Sequence, residues 1–599
     1  MIDLSAPFVL FDDASDGGGA RLYRAPAAIV TARRPDEVAP ALDRLRAACG
    51  GGRHAAGWLG YEAGHALEPR LAGLGKPETG MPLVWFGLFD APARLAEAEL
   101  LAALPDPAGA WAGPVRPRIS RARYEAAAAR VLGYIAAGDI YQANLSFRCD
   151  VAILGHPLAL YAQWRRASRA AWGGVVWTGR DWLLSASPEL FFTLTDTKLT
   201  ARPMKGTVPR GADRAADEAA KAALVANPKD RAENLMIVDL LRNDLSRVAA
   251  AGSVAVPALF TAETYPTLHT LTSTVTATLA PGRDAVDVIA AIFPCGSVTG
   301  APKIRAMEII DEIEADPRGP YTGSIGWLDP AGDAAFNVAI RTLAVRQGEA
   351  HAAIGLGSAV VADSTAASEW RECLAKGAFV NAGARPFDLL ETMRFDAHDG
   401  VVDLDRHLAR LKASADAFGF AFDRHHARNE LQAATFRLRG DARVRLRLSP
   451  SGALAIEVRP LPPPPAGPVT VRLVPRPVPA HDIRLAHKTS DRGFLDDSRR
   501  AAGTFEVVFA DADGFVTEGS FTTVFVERDG RLLTPPLARG LLPGVLRARL
   551  LDEGRAAEAE VTPGDLAGGF FIGNALRGLI PARLEHATAP VAAAHQSGL

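Results

Sequence analysis

The sequence predicts a mixed α/β (α+β) chain of two successive regions, and three observations carry that prediction. Strand-like runs such as "AAWGGVVWTG" and "DWLLSASPELFFTL" alternate with helical ones such as "RYEAAAARVLGYIAAGD" and "AENLMIVDLLRNDLSRV" up to roughly residue 380. The stretch "AKGAFVNAGARP" then breaks the pattern with Gly and Pro, and a new set of elements begins at "FDLLETMRFD". Within that second set, "RPLPPPPAGP" at residues 459–468 reads as a stiff, extended connector between two subdomains. We therefore expect one domain over residues 1–382 and another over residues 386–588, the second divided near residues 459–468.

Length and composition agree with this division. A chain of 599 residues exceeds one ordinary core. With 48% hydrophobic and 22% charged residues it has the balance of a soluble globular protein. A net charge of −2 without a long basic run argues against nucleic acid as a partner. No uninterrupted apolar run is long enough for a membrane span. The opening "MIDLSAPFVLFDD" lacks a positive segment before an apolar core, so no signal peptide is expected. The four cysteines are scattered, which speaks for a reducing, cytoplasmic setting and against a disulfide framework or a zinc site.

In the first region, "KDRAENLMIVDLLRNDLSRV" reads as a buried helix with Asp230 as its N-cap and Glu233 three residues on, a capping-box spacing. In "ASEWRECLAKG", Glu369 and Glu372 share a helix face, and Lys376 lies one turn beyond Glu372. That pair alone would be an ordinary i,i+4 contact. Taken together, one carboxylate from each helix could meet at a hard cation, and Mg²⁺ suits such a pair because it keeps waters and needs few protein ligands. Between them "FPCGSVTGAPKIRAMEIIDEIE" is a Gly-rich turn opening into a helix, containing Thr299 and Gly300. Its glycine spacing is not that of a Walker A loop, but its backbone N–H groups suit a carboxylate. "RGPYTGSIGWL", "FNVAIRTL" and "IGLGSAVVADS" add Tyr321, Arg341 and a second glycine-lined turn.

This ordered set resembles the chorismate-utilising family, which includes anthranilate synthase component I, aminodeoxychorismate synthase component I and the isochorismate and salicylate synthases. The resemblance implies a large antiparallel β-sandwich with helices enclosing a chorismate site. It makes Glu233 and Glu372 the Mg²⁺ ligands that hold the ring carboxylate. Tyr321, Arg341 and the Gly355–Gly357 turn would hold the enolpyruvyl carboxylate, with His269, Thr299, Gly300 and Lys376 lining the pocket. In "TARPMKGTVPRG", Lys205 occupies the position that is lysine in the aminodeoxychorismate synthase branch and usually alanine in anthranilate synthases. By resemblance Lys205 attacks C2 of chorismate, and Glu189 of "SASPELFF" protonates the departing C4 hydroxyl. Such a lysine must be neutral. At an ordinary pKa of ~10.4 under ~0.1% is neutral at pH 7, and lowering it to ~8 raises that to roughly 10%. No cysteine sits in a glutaminase-type Gly-x-Cys-x-Gly elbow, so ammonia would come from a separate glutaminase subunit or from solution.

The second region presents "FDLLETMRFD", "DLDRHLARLKASADAFGF", "HKTSDRGFLDDSRR", "VTEGSFTTVFVERDG", "LLPGVLRARLL" and "GNALRGLIPA" in that order. Singly these are an amphipathic helix, a polar loop and turns. As a series they resemble the class IV (fold type IV) aminotransferases, two-subdomain enzymes that use pyridoxal 5′-phosphate (PLP). The resemblance makes Lys488 the covalent anchor of PLP and Glu518 the partner of its pyridine nitrogen. Arg410 and backbone groups around Gly544, Val545, Asn574 and Ala575 would bind its phosphate. The opening Asp-Arg-Gly and Gly-Asp-Gly segments usual in that family are replaced by "GARPFDLLETMR", leaving Arg394, Arg445 and Arg447 as candidates for substrate carboxylates. A homodimer is implied by resemblance alone.

Together the two halves suggest a 4-aminobenzoate-forming enzyme of folate synthesis. Amination of chorismate to 4-amino-4-deoxychorismate in the first domain would be followed by pyruvate elimination in the second, with Lys488 as general base. Two alternatives stand beside it: an anthranilate-type first domain, or a second domain acting as a D- or branched-chain amino acid aminotransferase.

Overall fold

The computed structural model describes residues 2–15, 17–76, 80–265, 268–347 and 349–585. The chain divides into two compact units, one of Met1–Ala108 and Ala112–Ala384, the other of Gly109–Trp111 and Arg385–Leu599.

Among the described residues the first unit contains an eleven-stranded and a ten-stranded sheet, both antiparallel. Alternation explains how they meet. Along each strand every second side chain turns inward, so Val9, Tyr23, Val176 and Leu183 of one sheet share a buried cluster with Trp58, Trp85, Phe89 and Ile325 of the other. Trp58 and Trp85 stack with ring centroids 5.2 Å apart. The outer face of the ten-stranded sheet buries Phe86, Phe192 and Phe336 against the helices Val38–Gly50, Pro228–Ser246 and Ala285–Ile292. Each such large side chain contributes about 1.5–3 kcal/mol on burial, enough to hold the helix layer on the sheet. The first unit is an antiparallel sandwich with helices outside it.

Helix Pro228–Ser246 starts three residues earlier than the sequence suggested. Asn227, not Asp230, is the N-cap: its Oδ1 accepts from the Lys229 and Asp230 N–H groups, and Pro228 occupies the first turn. Proline suits that place because its missing N–H would be unpaired there anyway. Asp230 and Glu233 are thereby left with side chains available for other work. Helix Ala366–Gly377 is capped by Thr365, whose Oγ1 accepts from the Ser368 N–H at 3.3 Å.

The second unit has a four-stranded antiparallel sheet including Leu389–Asp396, Ala442–Leu448 and Leu454–Pro460. Its eight-stranded sheet is mixed: Val469–Pro475 runs parallel to both Glu506–Ala510 and Gly578–Leu584. The proline-rich segment connects strand Leu454–Pro460 of the small sheet to strand Val469–Pro475 of the large one. The small sheet also touches the segment that carries Lys488, since the Leu390 N–H donates to the Lys488 carbonyl at 2.8 Å. Among the described residues no helix is long and apolar enough to cross a membrane.

Candidate active sites

In the first unit a cavity of about 370 Å³ gathers side chains from distant parts of the sequence. Strand Met204–Pro209 brings Lys205, and the turn before strand Leu190–Thr195 brings Glu189. Helix Pro228–Ser246 contributes Glu233, and helix Ala366–Gly377 contributes Glu372 and Lys376. Strand His351–Val360 supplies Gly355 and Gly357, and Tyr321 and Arg341 line the same space.

The electrostatics of this cavity are unusual for exposed lysines and glutamates. Burial first, and the Lys376 charge second, push the Lys205 ammonium below its ordinary value, against the pull of Glu233, Glu189 and Glu372. Burial pushes the Glu189 carboxyl up to about 7, although the Ser297 hydroxyl donates to its Oε1 at 2.6 Å. An amine drawn toward neutrality beside a carboxyl that titrates near 7 can exchange protons with a substrate at physiological pH. Glu233 is likewise raised by burial. Glu372 is half exposed; what desolvation it has would raise its carboxyl, but Lys376 outweighs it and holds the carboxyl low. The Lys376 Nζ lies 2.8 Å from Glu372 Oε1 and donates to the Gly357 carbonyl at 3.0 Å.

The opposite wall is built for an anion. Arg341 lines the cavity with no acidic partner among the described residues, and its backbone is left-handed (φ 49°), an uncommon state for arginine. Tyr321 lies directly against the two glycines. A Cβ on Gly355 would stand 2.2 Å from Tyr321 Cγ, and one on Gly357 2.9 Å from the Tyr321 hydroxyl. Only glycine permits so close an approach.

Three residues expected from the sequence lie elsewhere. His269 is absent from this lining, which holds its neighbour Thr270. Adjacent residues of strand Leu268–Thr278 point to opposite faces, and the His269 ring is engaged by Asp217 Oδ1 at 2.9 Å and Thr264 Oγ1 at 3.0 Å. The Thr299 hydroxyl donates to the Cys295 and Gly296 carbonyls, both at 3.2 Å, and Gly300 packs against the Gln142 carbonyl. Ser297 and Val298 of the same turn line the cavity instead. The sequence reading missed Ser297, although it lies inside the Gly-rich turn singled out there.

The second unit holds a cavity of about 490 Å³ lined by Arg410, Lys488, Glu518, Gly544, Val545, Asn574 and Ala575. Burial, then the Arg410 charge, push the Lys488 ammonium down to about 7. Burial pushes the Glu518 carboxyl up to about 7; its Oε2 accepts from the Leu542 N–H at 3.1 Å, while its buried Oε1 has no partner. Arg410 is locked in place by Glu391, with Nε to Oε1 at 2.9 Å and Nη2 to Oε2 at 2.6 Å, and by the Pro543 carbonyl at 3.1 Å. His407 Nδ1 approaches the same carboxylate at 2.6 Å. Glu391 and His407 were not anticipated, because neither sits in a motif whose chemistry is evident before folding.

These groups suit PLP. The unpartnered Glu518 Oε1 fits a protonated pyridine nitrogen, and Lys488 is a primary amine that loses its proton near neutral pH. Arg410 and the N-terminus of helix Val545–Asp552, with Gly544 as its N-cap, fit a phosphate.

Residues 7–382 match the model of the chorismate binding enzymes. The chain belongs to the chorismate binding enzyme family. Residues 388–584 match the amino-transferase class IV model, a domain type that implies PLP. Among the family's members, aminodeoxychorismate synthase component 1 of Klebsiella aerogenes is 43% identical over 295 residues, 49% of this chain and 64% of that protein. Anthranilate synthase component 1 of Thermus thermophilus is 41% identical over 289 residues, 47% of this chain and 62% of that protein. The chain thus spans less than two thirds of the length of these relatives. The crystal structure of anthranilate synthase component I from Streptococcus pneumoniae TIGR4 shares the fold, with a TM-score of 0.52 and 24% identity over 63% of this chain and 93% of that one.

Proposed function

We propose that the chain is a bifunctional 4-aminobenzoate-forming enzyme, with an aminodeoxychorismate synthase domain over residues 1–382 and an aminodeoxychorismate lyase domain over residues 386–588. The observation that carries this reading is Lys205: a lysine drawn toward neutrality inside the family's cavity, beside a carboxyl that titrates near 7.

In the first domain Glu233 and Glu372 would hold Mg²⁺, whose charge neutralises the ring carboxylate of chorismate. Arg341 and Tyr321 hold the enolpyruvyl carboxylate against the Gly355–Gly357 turn. Lys205 Nζ forms a bond to C2 while the C4 hydroxyl departs, taking a proton from Glu189 and leaving as water. Ammonia, supplied by a separate glutaminase subunit, then bonds to C4 and Lys205 leaves C2. The product is 4-amino-4-deoxychorismate.

In the second domain Lys488, Glu518, Arg410 and the Gly544–Val545 and Asn574–Ala575 turns would hold PLP, which supplies an electron sink when bound. Lys488 removes the C4 proton of the substrate, and its pKa near 7 suits a base that works at neutral pH. Pyruvate departs as the ring aromatises to 4-aminobenzoate. Glu518 would face the pyridine nitrogen, whose positive charge would favour the ionised carboxylate against the burial that raises it, and Glu391 keeps Arg410 aimed at the phosphate.

A second reading draws on the anthranilate synthase relative, which is nearly as similar as the aminodeoxychorismate synthase. One experiment separates the two. The purified chain receives chorismate, Mg²⁺ and an ammonium salt, with and without PLP, and the aromatic product is identified. The expected outcome is 4-aminobenzoate from wild type and none from Lys205→Ala or Lys488→Ala. Anthranilate as the product overturns the reading of the first domain. Accumulation of aminodeoxychorismate by the PLP-loaded protein overturns that of the second.

A further inference from the structure

The cavity of the second unit carries more positive charge than a cofactor needs. Its lining includes Arg443 and Arg445, alternate residues on one face of strand Ala442–Leu448. Arg447 follows them on that face, and Arg394 stands across from Arg443 on the neighbouring strand. Two of these four arginines are neutralised: Arg394 Nη2 lies 2.7 Å from Asp441 Oδ2, and Arg447 Nη2 lies 2.5 Å from Asp388 Oδ2. Neither lines the cavity. Arg443 and Arg445 do, and among the described residues neither has an acidic partner. Glu457, across from Arg445 on the next strand, is paired with Arg459.

Arg410 and the helix N-terminus already answer a phosphate, and Arg492 and Arg577, which also line the cavity, donate to main-chain carbonyls. Half-buried Arg443 and exposed Arg445 have no such partner among the described residues and are free to receive further negative charge. Alternate residues of a strand stand about 6.8 Å apart. That spacing suits two carboxylates carried on one ring better than the single carboxylate of an amino acid. Guanidinium groups bind carboxylates through paired hydrogen bonds, which gives such a subsite geometric selectivity as well as charge. Thr392, paired with Arg445 across the sheet, lines the same wall. Arg445 is also near enough to Lys488 for its charge to help lower that ammonium.

We propose that Arg443 and Arg445 form the subsite for the two carboxylates of a ring-dicarboxylate amine, so that the second unit selects such a substrate over monocarboxylate amino acids. This rests on the reading of the second unit as a PLP-dependent lyase, and the test separates the two. The full chain loaded with PLP is titrated with 3-(carboxymethoxy)benzoate, a ring dicarboxylate without an amine, and with benzoate. Binding is followed through the absorption band of the bound cofactor, which reads the second unit alone. Arg443→Gln and Arg445→Gln are expected to retain PLP at the wild-type stoichiometry. The dicarboxylate Kd should rise about tenfold in each, equivalent to roughly 1.4 kcal/mol, and the benzoate Kd by less than about threefold. Wild-type dicarboxylate affinity in both loaded variants overturns the subsite and leaves the lyase reading standing. A wild-type band that responds to D-alanine but not to the dicarboxylate overturns both.

Discussion

The Ser297 hydroxyl donates to Glu189 Oε1 at 2.6 Å, so a residue of the Gly-rich turn and a residue next to an edge of the Leu190–Thr195 strand act on one proton. Burial raises the Glu189 carboxyl to about 7 and this hydrogen bond opposes the rise. As a proton donor Glu189 is active below that pKa. The amination rate, measured at constant free ammonia, should therefore fall as pH rises through about 7. In Ser297→Ala the opposing bond is gone, so the descending limb should move to higher pH while the maximum rate drops about tenfold, the effect of one hydrogen bond to a charged group. A limb that stays in place in Ser297→Ala removes Glu189 from the role of acid.

Gly355 and Tyr321 make a second pair whose separation is tested by one carbon atom. Gly355→Ala would put its Cβ 2.2 Å from Tyr321 Cγ, a distance that no relaxed contact tolerates. Overpacking of this kind costs about 1–3 kcal/mol. Thermal unfolding should report a loss of stability of that order, and chorismate KM should rise at least tenfold as Tyr321 is displaced. An alanine variant with wild-type KM would separate Tyr321 from chorismate binding.

Glu391 should govern the second site through Arg410. Against the burial that would raise it, the Arg410 charge and the His407 contact hold its carboxyl down to about 2. Glu391→Gln removes the charge-assisted pair that fixes Arg410. Equilibrium dialysis should show PLP binding weakened roughly 10–100-fold, the range for a lost hydrogen bond to a charged group. Because the folded pKa lies below the ordinary carboxylate value, the pair's stabilisation of the cofactor-free protein is complete above about 4.5 and is lost as pH falls toward about 2. Glu391→Gln should flatten the unfolding curve in that acid window.

Lys488 makes the stability of the cofactor-free protein rise with pH as well, but in an alkaline window. Its folded pKa is about 7 against an ordinary 10.5, so between those values the unfolded chain binds a proton that the folded chain lacks. Stability should accordingly rise with pH across about 7 to 10.5. Chemical denaturation of Lys488→Met without PLP should lose that rise and show higher stability than wild type near neutral pH. Equal slopes in the two proteins would place Lys488 in solvent.

By itself the sequence determined the mixed α/β class in two successive regions, and its resemblance to known families implied the antiparallel sandwich and the candidate ionisable groups. Periodicity and short motifs such as "PMKGT", "HKTSDR" and "VTEGS" are local, and so they survive in the sequence without a fold. What only the tertiary structure decided depends on register, burial and partners far away in the chain. The helix start moved from Asp230 to Asn227 because Pro228 fits the first turn. His269 and Thr270 exchanged places because a strand's neighbours face opposite ways, and a one-residue difference chooses between Asp217 and the cavity. Ser297 became a partner of Glu189 through a contact across 108 residues. Among the arginines of one small sheet, only folding tells that Arg394 and Arg447 are neutralised while Arg443 and Arg445 are not. Pairing of charge is a property of three-dimensional neighbours, and no spacing within the sequence specifies it.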